Sequence, residues 1–172
     1  MTSDRTAPTE QRRRPDDRGL VTDGGPRTDA PTVTVSRLVT RRGKRASVSV
    51  PAFDQSVSLD AIALESLTDQ DEATDPIEAL RPRIEDPGTD AEPTLSIAED
   101  TIRIVNEYSE AVLTSAADGL RITSPPTGHS VVLSPRHVFD LAFLEDTYAF
   151  TALLADPVTL EENIGAMQSA FE

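Results

Sequence analysis

From Pro31 onward the chain alternates between apolar and hydroxyl side chains. Val33 and Val35 are separated by threonine, Leu38 and Val39 follow, and beyond Arg41-Arg42-Gly43-Lys44 the residues Ala46, Val48 and Val50 alternate with serines. A period of two on both sides of a glycine-bearing turn predicts an antiparallel hairpin with one apolar and one hydroxyl-bearing face. Pro51 ends the second strand, and Val57 and Leu59 continue its apolar face. Asp60 then stands where its carboxylate can accept from the free amides of a first helical turn. The short helix it opens carries Ile62, Leu64 and Leu67, which are expected to cover that face.

A second, more apolar stretch follows an acidic, proline-interrupted one. Leu95 and Ile97, then Ile102 and Ile104, alternate around Glu99-Asp100. The β-branched run predicts a hairpin, while Ser96 and Glu99 spell the alternative, a capping box opening a helix through Ile102 and Val105. Val112 and Leu113, the turn Asp118-Gly119, and Leu120 and Ile122 predict a further hairpin. Val131 and Leu133 lead into Ser134-Pro135, a cap followed by proline at the first helical position. The helix after it is expected to bear Val138, Leu141, Leu144, Tyr148 and Leu153 on one side, with Phe139, Phe143 and Phe150 beside them. Asp156-Pro157 repeats the cap-then-proline signal, and Leu160, Ile164, Met167 and Phe171 form an apolar stripe on a last helix.

The two stretches share an order of elements. Displacing Ser47–Asp60 by 74 positions onto Arg121–Ser134 brings Pro51, Ser56, Val57 and Leu59 onto Pro125, Ser130, Val131 and Leu133, and sets Leu38 and Val39 against Val112 and Leu113. The expected fold is α+β: antiparallel hairpins each followed by a covering helix, duplicated in two related lobes, with a C-terminal amphipathic helix added. Residues 1–31 read as a disordered Arg/Pro/Gly-rich tail, 32–69 as the first lobe, 70–94 as an acidic proline-rich linker and 95–172 as the larger second lobe. Whether the lobes share one sheet is left open by the pattern.

Charge narrows the setting more than the chemistry. Thirty acidic residues face sixteen basic ones, the net charge is -14, only Lys44 is a lysine, and there is no cysteine. Carboxylates hold water and cations, and molar salt shortens the screening length to about 3 Å, so such a surface suits an extremely halophilic, archaeal cytoplasm. Residues 1–45 hold eleven basic against six acidic residues, a balance of +5 that leaves -19 elsewhere. Without cysteine there is no thiolate nucleophile and no disulfide framework. No apolar run approaches a bilayer span, and no apolar stretch follows the N-terminal arginines as a secretory signal requires.

The chemical motifs are mostly excluded. His129 and His137 lack ligand spacing, Ser130 has no G-x-S-x-G elbow around it, and no phosphate-binding glycine loop occurs. No catalytic, metal or cofactor residue is therefore assigned, and no enzyme is expected. Two surfaces remain. Arg41, Arg42, Lys44 and Arg45 at a hairpin tip are candidate phosphate contacts. Leu160, Ile164, Met167 and Phe171 are a candidate partner surface. The reading that follows is a non-enzymatic protein-binding or regulatory module, with a protein partner or self-association. Its alternative is a nucleic-acid-associated regulator, disfavoured by the acidic remainder and by the absence of aromatic residues among the basic ones.

Overall fold

The computed structural model describes residues 30–70 and 75–154, so the stripe of Leu160, Ile164, Met167 and Phe171, and almost all of the predicted tail, lie outside the described residues. The architecture is mixed α and β, with two four-stranded sheets and few helices. In the first sheet, β1 (Thr32–Thr40) pairs antiparallel with β2 (Gly43–Val50), and β2 with β3 (Gln55–Leu59). A fourth strand, β4 (Thr94–Ile97), lies parallel to β1 on its other side. The second sheet is an antiparallel meander of β5 (Thr101–Val105), β6 (Glu110–Ala116), β7 (Gly119–Thr123) and β8 (Ser130–Leu133).

The alternation read from sequence is the alternation of burial. Val33, Val35, Ala46, Val48 and Val50 point inward in one sheet, and Ile102, Ile104, Leu113, Leu120 and Ile122 in the other; all join one apolar core. The first sheet takes its fourth strand, Thr94–Ile97, from the start of the stretch read as the second lobe, so the boundary between the sheets does not follow the expected lobe boundary.

Leu95–Ile97 and Ile102–Ile104 are strands, as expected, but they do not form a hairpin with one another. The three residues between them carry the chain from the first sheet to the second. The Thr94 amide donates to the Pro31 carbonyl and the Ala98 amide to Val35, while β5 pairs with β6.

β3 and β8 each run into a capped helix. Asp60 accepts from the Ala63 amide at 2.9 Å and opens α1 (Ala61–Thr68). Ser134 accepts from the His137 amide at 3.2 Å and opens α2 (Pro135–Leu141), where His137 Nδ1 accepts in return from the Ser134 amide. The helices do not simply cover the strands that precede them. α1 lies against β6, β7 and β8, and α2 touches β1, β2 and β4 as well as β7 and β8, so each stitches one sheet to the other.

The second helix is shorter than its apolar spacing predicts. It ends at Leu141, Leu144 makes an isolated bridge to Ile84, and Asp146 caps a separate 3-10 turn, Thr147–Phe150, continued by α3 (Thr151–Leu154). Tyr148, expected on the apolar side, is 81% exposed. Within the acidic proline-rich stretch a 3-10 segment, Glu78–Arg83, is anchored rather than loose: Ile77 and Leu80 are fully buried, and the Glu85 and Glu145 amides donate to Phe143 and Arg83.

Pairing registers refine the relation between the two halves. Ala46 opposite Leu59 and Val48 opposite Val57 recur 74 positions later as Leu120 opposite Leu133 and Ile122 opposite Val131. The first strand of each set does not keep that spacing. Val35 faces Val48, but the residue facing Ile122 is Leu113, a displacement of 78. Leu38 and Val39 therefore do not correspond to Val112 and Leu113; Val33 and Val35 take the places of Ala111 and Leu113, and the β1–β2 hairpin is longer by two residues on each strand.

Candidate binding surface: a basic ribbon beside an acidic groove

The additional length forms an overhang. Among the described residues β4 ends opposite Val35 and β3 ends opposite Ala46, so the pairs Leu38–Arg45, Val39–Lys44 and Thr40–Gly43 have no strand on either flank. This two-stranded ribbon projects about 10 Å plus its turn, at about 3.3 Å per residue. The turn is stiffened locally: Thr40 Oγ1 donates to the Gly43 carbonyl at 2.9 Å and accepts from the Arg42 amide at 3.2 Å. Gly43 closes it at φ +117°, a conformation other residues rarely adopt.

The sequence-predicted cations gather here. Arg41, Arg42 and Lys44 are exposed, Arg45 is half-buried, and none of the four has an acidic partner among the described residues. Each face of the ribbon pairs an apolar residue with a cation, Val39 with Lys44 on the core-side face and Leu38 with Arg45 on the other. Val39 is 69% and Leu38 41% exposed. Sequence reasoning found the charges but missed the apolar half of the surface, because both residues read as ordinary strand positions.

Beside the ribbon lies a groove of about 610 Å³. One wall is β4, with Leu95 and Ile97 half-buried; the other is the β6–β7 turn from Ser115 to Gly119. Asp100 and Asp118 are exposed on its rim, and Glu99 pairs with Arg37 at 3.0 Å. The amides of Thr94 and Ala98 donate to β1, so by the two-residue period of a strand the backbone groups of Leu95 and Ile97 face the groove. A smaller pocket of about 220 Å³ sits between Arg45 and the start of α1. Its helix amides already serve the Asp60 carboxylate, which disqualifies it as an anion site.

The titratable residues elsewhere have structural partners. His129 Nδ1 lies 2.7 Å from Asp69, tying the β7–β8 turn to the end of α1. Asp140, almost wholly buried, receives Arg81 at 2.8 Å; Arg136 approaches its other oxygen to 2.9 Å, off the hydrogen-bond direction. Arg81 also reaches Asp75 at 2.9 Å, and His137 Nε2 is 3.4 Å from the same carboxylate. Burial pushes the Asp75 carboxyl up, but the Ile77 amide, Arg81 and His137 outweigh it and hold the group below its ordinary value. The Asp75 hydrogen bond keeps Arg81 above its own. This cluster clamps the 3-10 segment to α2.

Among the described residues, Ser130, His129 and Asp140 do not form a triad. Ser130 is exposed on β8, His129 is turned to Asp69 and Asp140 is held by two arginines. Among the described residues no group of three metal-ligating side chains converges, and no helix is long and apolar enough to cross a membrane. No protein-family model matches the chain, and neither a characterised protein nor a solved structure resembles it significantly.

Proposed function

We propose that this chain is a non-enzymatic binding module that engages a partner protein through the β1–β2 ribbon. The observation that carries the reading is the ribbon itself: exposed Leu38 and Val39, set crosswise against Arg45 and Lys44, on a chain of net charge -14. Apolar surface desolvated inside a ring of charge is the composition of a recognition surface, with the cations supplying orientation. An acidic partner surface is the matching chemistry. The setting is a halophilic, archaeal cytoplasm, and the body that displays the ribbon is a duplicated β-β-β-α unit, a history supported by the 74-residue recurrence of the second and third strands and by the two capped helices.

The test is capture from a halophilic lysate at molar KCl, comparing the native chain with one carrying Arg41→Glu and Arg42→Glu. Both positions are solvent-facing and unpaired among the described residues, so the melting midpoint should hold while capture is lost. Capture that survives the double substitution overturns the reading. A nucleic-acid partner is the second reading, favoured by four cations, unpaired among the described residues, on a two-stranded ribbon, a shape that fits a duplex groove. Retention on immobilised DNA at molar salt, abolished by the same substitutions, selects it instead.

A further inference from the structure

The ribbon and the groove lie along one edge of the first sheet. Reading β1 from its start, the edge is first covered by β4, from Thr32 to Val35, and then left open where the ribbon begins. The edge is therefore stepped: β4 stands out by one strand at one end, and the outer side of β1 is recessed at the other. Because the Pro31 and Val35 carbonyls accept from β4, the period of two turns the backbone groups of Arg37 and Val39 toward that same open side. Two residues on the protruding step, Leu95 and Ile97, and two in the recess, Arg37 and Val39, thus present unpaired strand backbone.

Charge is arranged in the same complementary way. The ribbon carries Arg41, Arg42, Lys44 and Arg45, and the groove beside β4 carries Asp100 and Asp118, unpaired among the described residues, together with Glu99. Within one chain these features cannot meet, because ribbon and groove follow one another along a single edge. In a second copy turned end over end, Arg37 and Val39 fall opposite Ile97 and Leu95, and the ribbon tip reaches Pro93 and Thr94, in the groove that Asp118 also lines. A two-fold axis across the edge sets each ribbon into the other's groove and makes the facing strands antiparallel, with β4 of one copy against β1 of the other. Such a contact is self-complementary and closes at two copies. It also covers open strands that would otherwise remain available for pairing with any chain.

We propose that the protein pairs with a second copy of itself by this edge, the ribbon of each copy seated in the acidic groove of the other and joined to its β4. The assignment rests on the reading of the ribbon as a recognition surface, and it names the occupant of the groove.

Sedimentation across a range of protein concentrations at molar KCl should show a monomer–dimer equilibrium that stops at two chains. A monomer throughout, or growth beyond two chains, overturns the proposal. At that salt only charges in contact act, so reversing the groove alone (Asp118→Arg) or the ribbon alone (Arg41→Glu with Arg42→Glu) should weaken the dimer about ten-fold. Mixing the two variants restores both contacts, because each then offers the sign the other requires, and the mixture should dimerise as tightly as the native chain. Failure of the mixture to recover, with each variant's melting curve native, overturns the ribbon-in-groove contact. Amide exchange at Leu95, Ile97, Arg37 and Val39 should slow about ten-fold on dimerisation, as strand pairing protects these outward N–H groups; equal rates in monomer and dimer would refute strand addition. A groove reversal that leaves the dimer intact while the ribbon reversal still abolishes lysate capture would sink the ribbon-in-groove contact and spare the binding module.

Discussion

Gly119 is the position where the backbone leaves least freedom. It follows the two-residue turn of the β6–β7 hairpin at φ +148°, and a Cβ placed on it would lie 2.0 Å from the Leu133 carbonyl oxygen and 2.9 Å from the carbonyl carbon. Neither atom can swing aside, because Leu133 is paired with Leu120 and leads directly into the Ser134 cap. Gly119→Ala therefore combines a dihedral penalty of about 1–3 kcal/mol with an overpacking cost of about 1–3 kcal/mol for prising β7 from β8. A loss of roughly 3–5 kcal/mol is expected, a large share of the 5–15 kcal/mol typical of a folded domain. In a chain of this size that lowers the melting midpoint by about 6–20 °C. Gly43→Ala is the internal control. It occupies the same place after the other hairpin turn, at φ +117°, but its Cβ would meet nothing within 4 Å. Only the dihedral penalty applies there, and the entropy that alanine removes from the unfolded chain is common to both variants. Thermal melts at one fixed high salt concentration give the difference directly. Equal losses at the two glycines would refute the claim that backbone contact at Leu133, rather than φ alone, restricts Gly119.

Ser134→Ala removes the acceptor of the His137 amide and half of a reciprocal cap, and should cost about 1 kcal/mol in a chemical denaturation curve; an unchanged midpoint would mean that Pro135 and packing alone start α2. The Asp75 carboxyl is held below its ordinary value of 3.8, so its contribution is complete above that pH and disappears as pH falls through the lower folded value. Asp75→Asn should accordingly be less stable than the native chain at neutral pH, with the gap closing toward zero on acidification, and a gap independent of pH would refute the charge pairing with Arg81 and His137.

What was legible in the sequence was whatever depends on neighbours in the chain. The alternation at Val33–Val35 and Ala46–Val50 marked strands, and the Asp60 and Ser134 side chains marked helix starts because a cap is satisfied within three residues. Distant pairing was not legible. Ile97 and Ile102 carry identical signals, yet the strand of one pairs with β1 and the strand of the other with β6, partners in different sheets. The apolar spacing from Val138 to Leu153 fits a helix equally well whether or not it breaks, and the break follows from Asp146 capping a new turn after Leu144 has bridged to Ile84. At the binding surface the cations could be read from composition, whereas the exposure of Val39 depends on where β4 stops.

The comparison of the two hairpins bears on why that surface exists. In both halves the inward rows are filled by the same number of paired positions, Val33 and Val35 against Ala111 and Leu113, and nothing in the core requires the first hairpin to extend past Arg37–Ala46. The second hairpin shows that a turn immediately beyond that row closes satisfactorily, since Ala116 pairs with Gly119 only three residues after Leu113. The extra pairs in the first hairpin leave Val39 69% and Leu38 41% exposed and bring together four cations that have no acidic partner among the described residues. Each of these is unfavourable for an isolated fold, through exposed apolar surface in the first case and like-charge repulsion in the second. An overhang that detracts from the free chain, and that the β6–β7 hairpin lacks, is what the proposed contact with the recess and acidic groove of a second copy would offset.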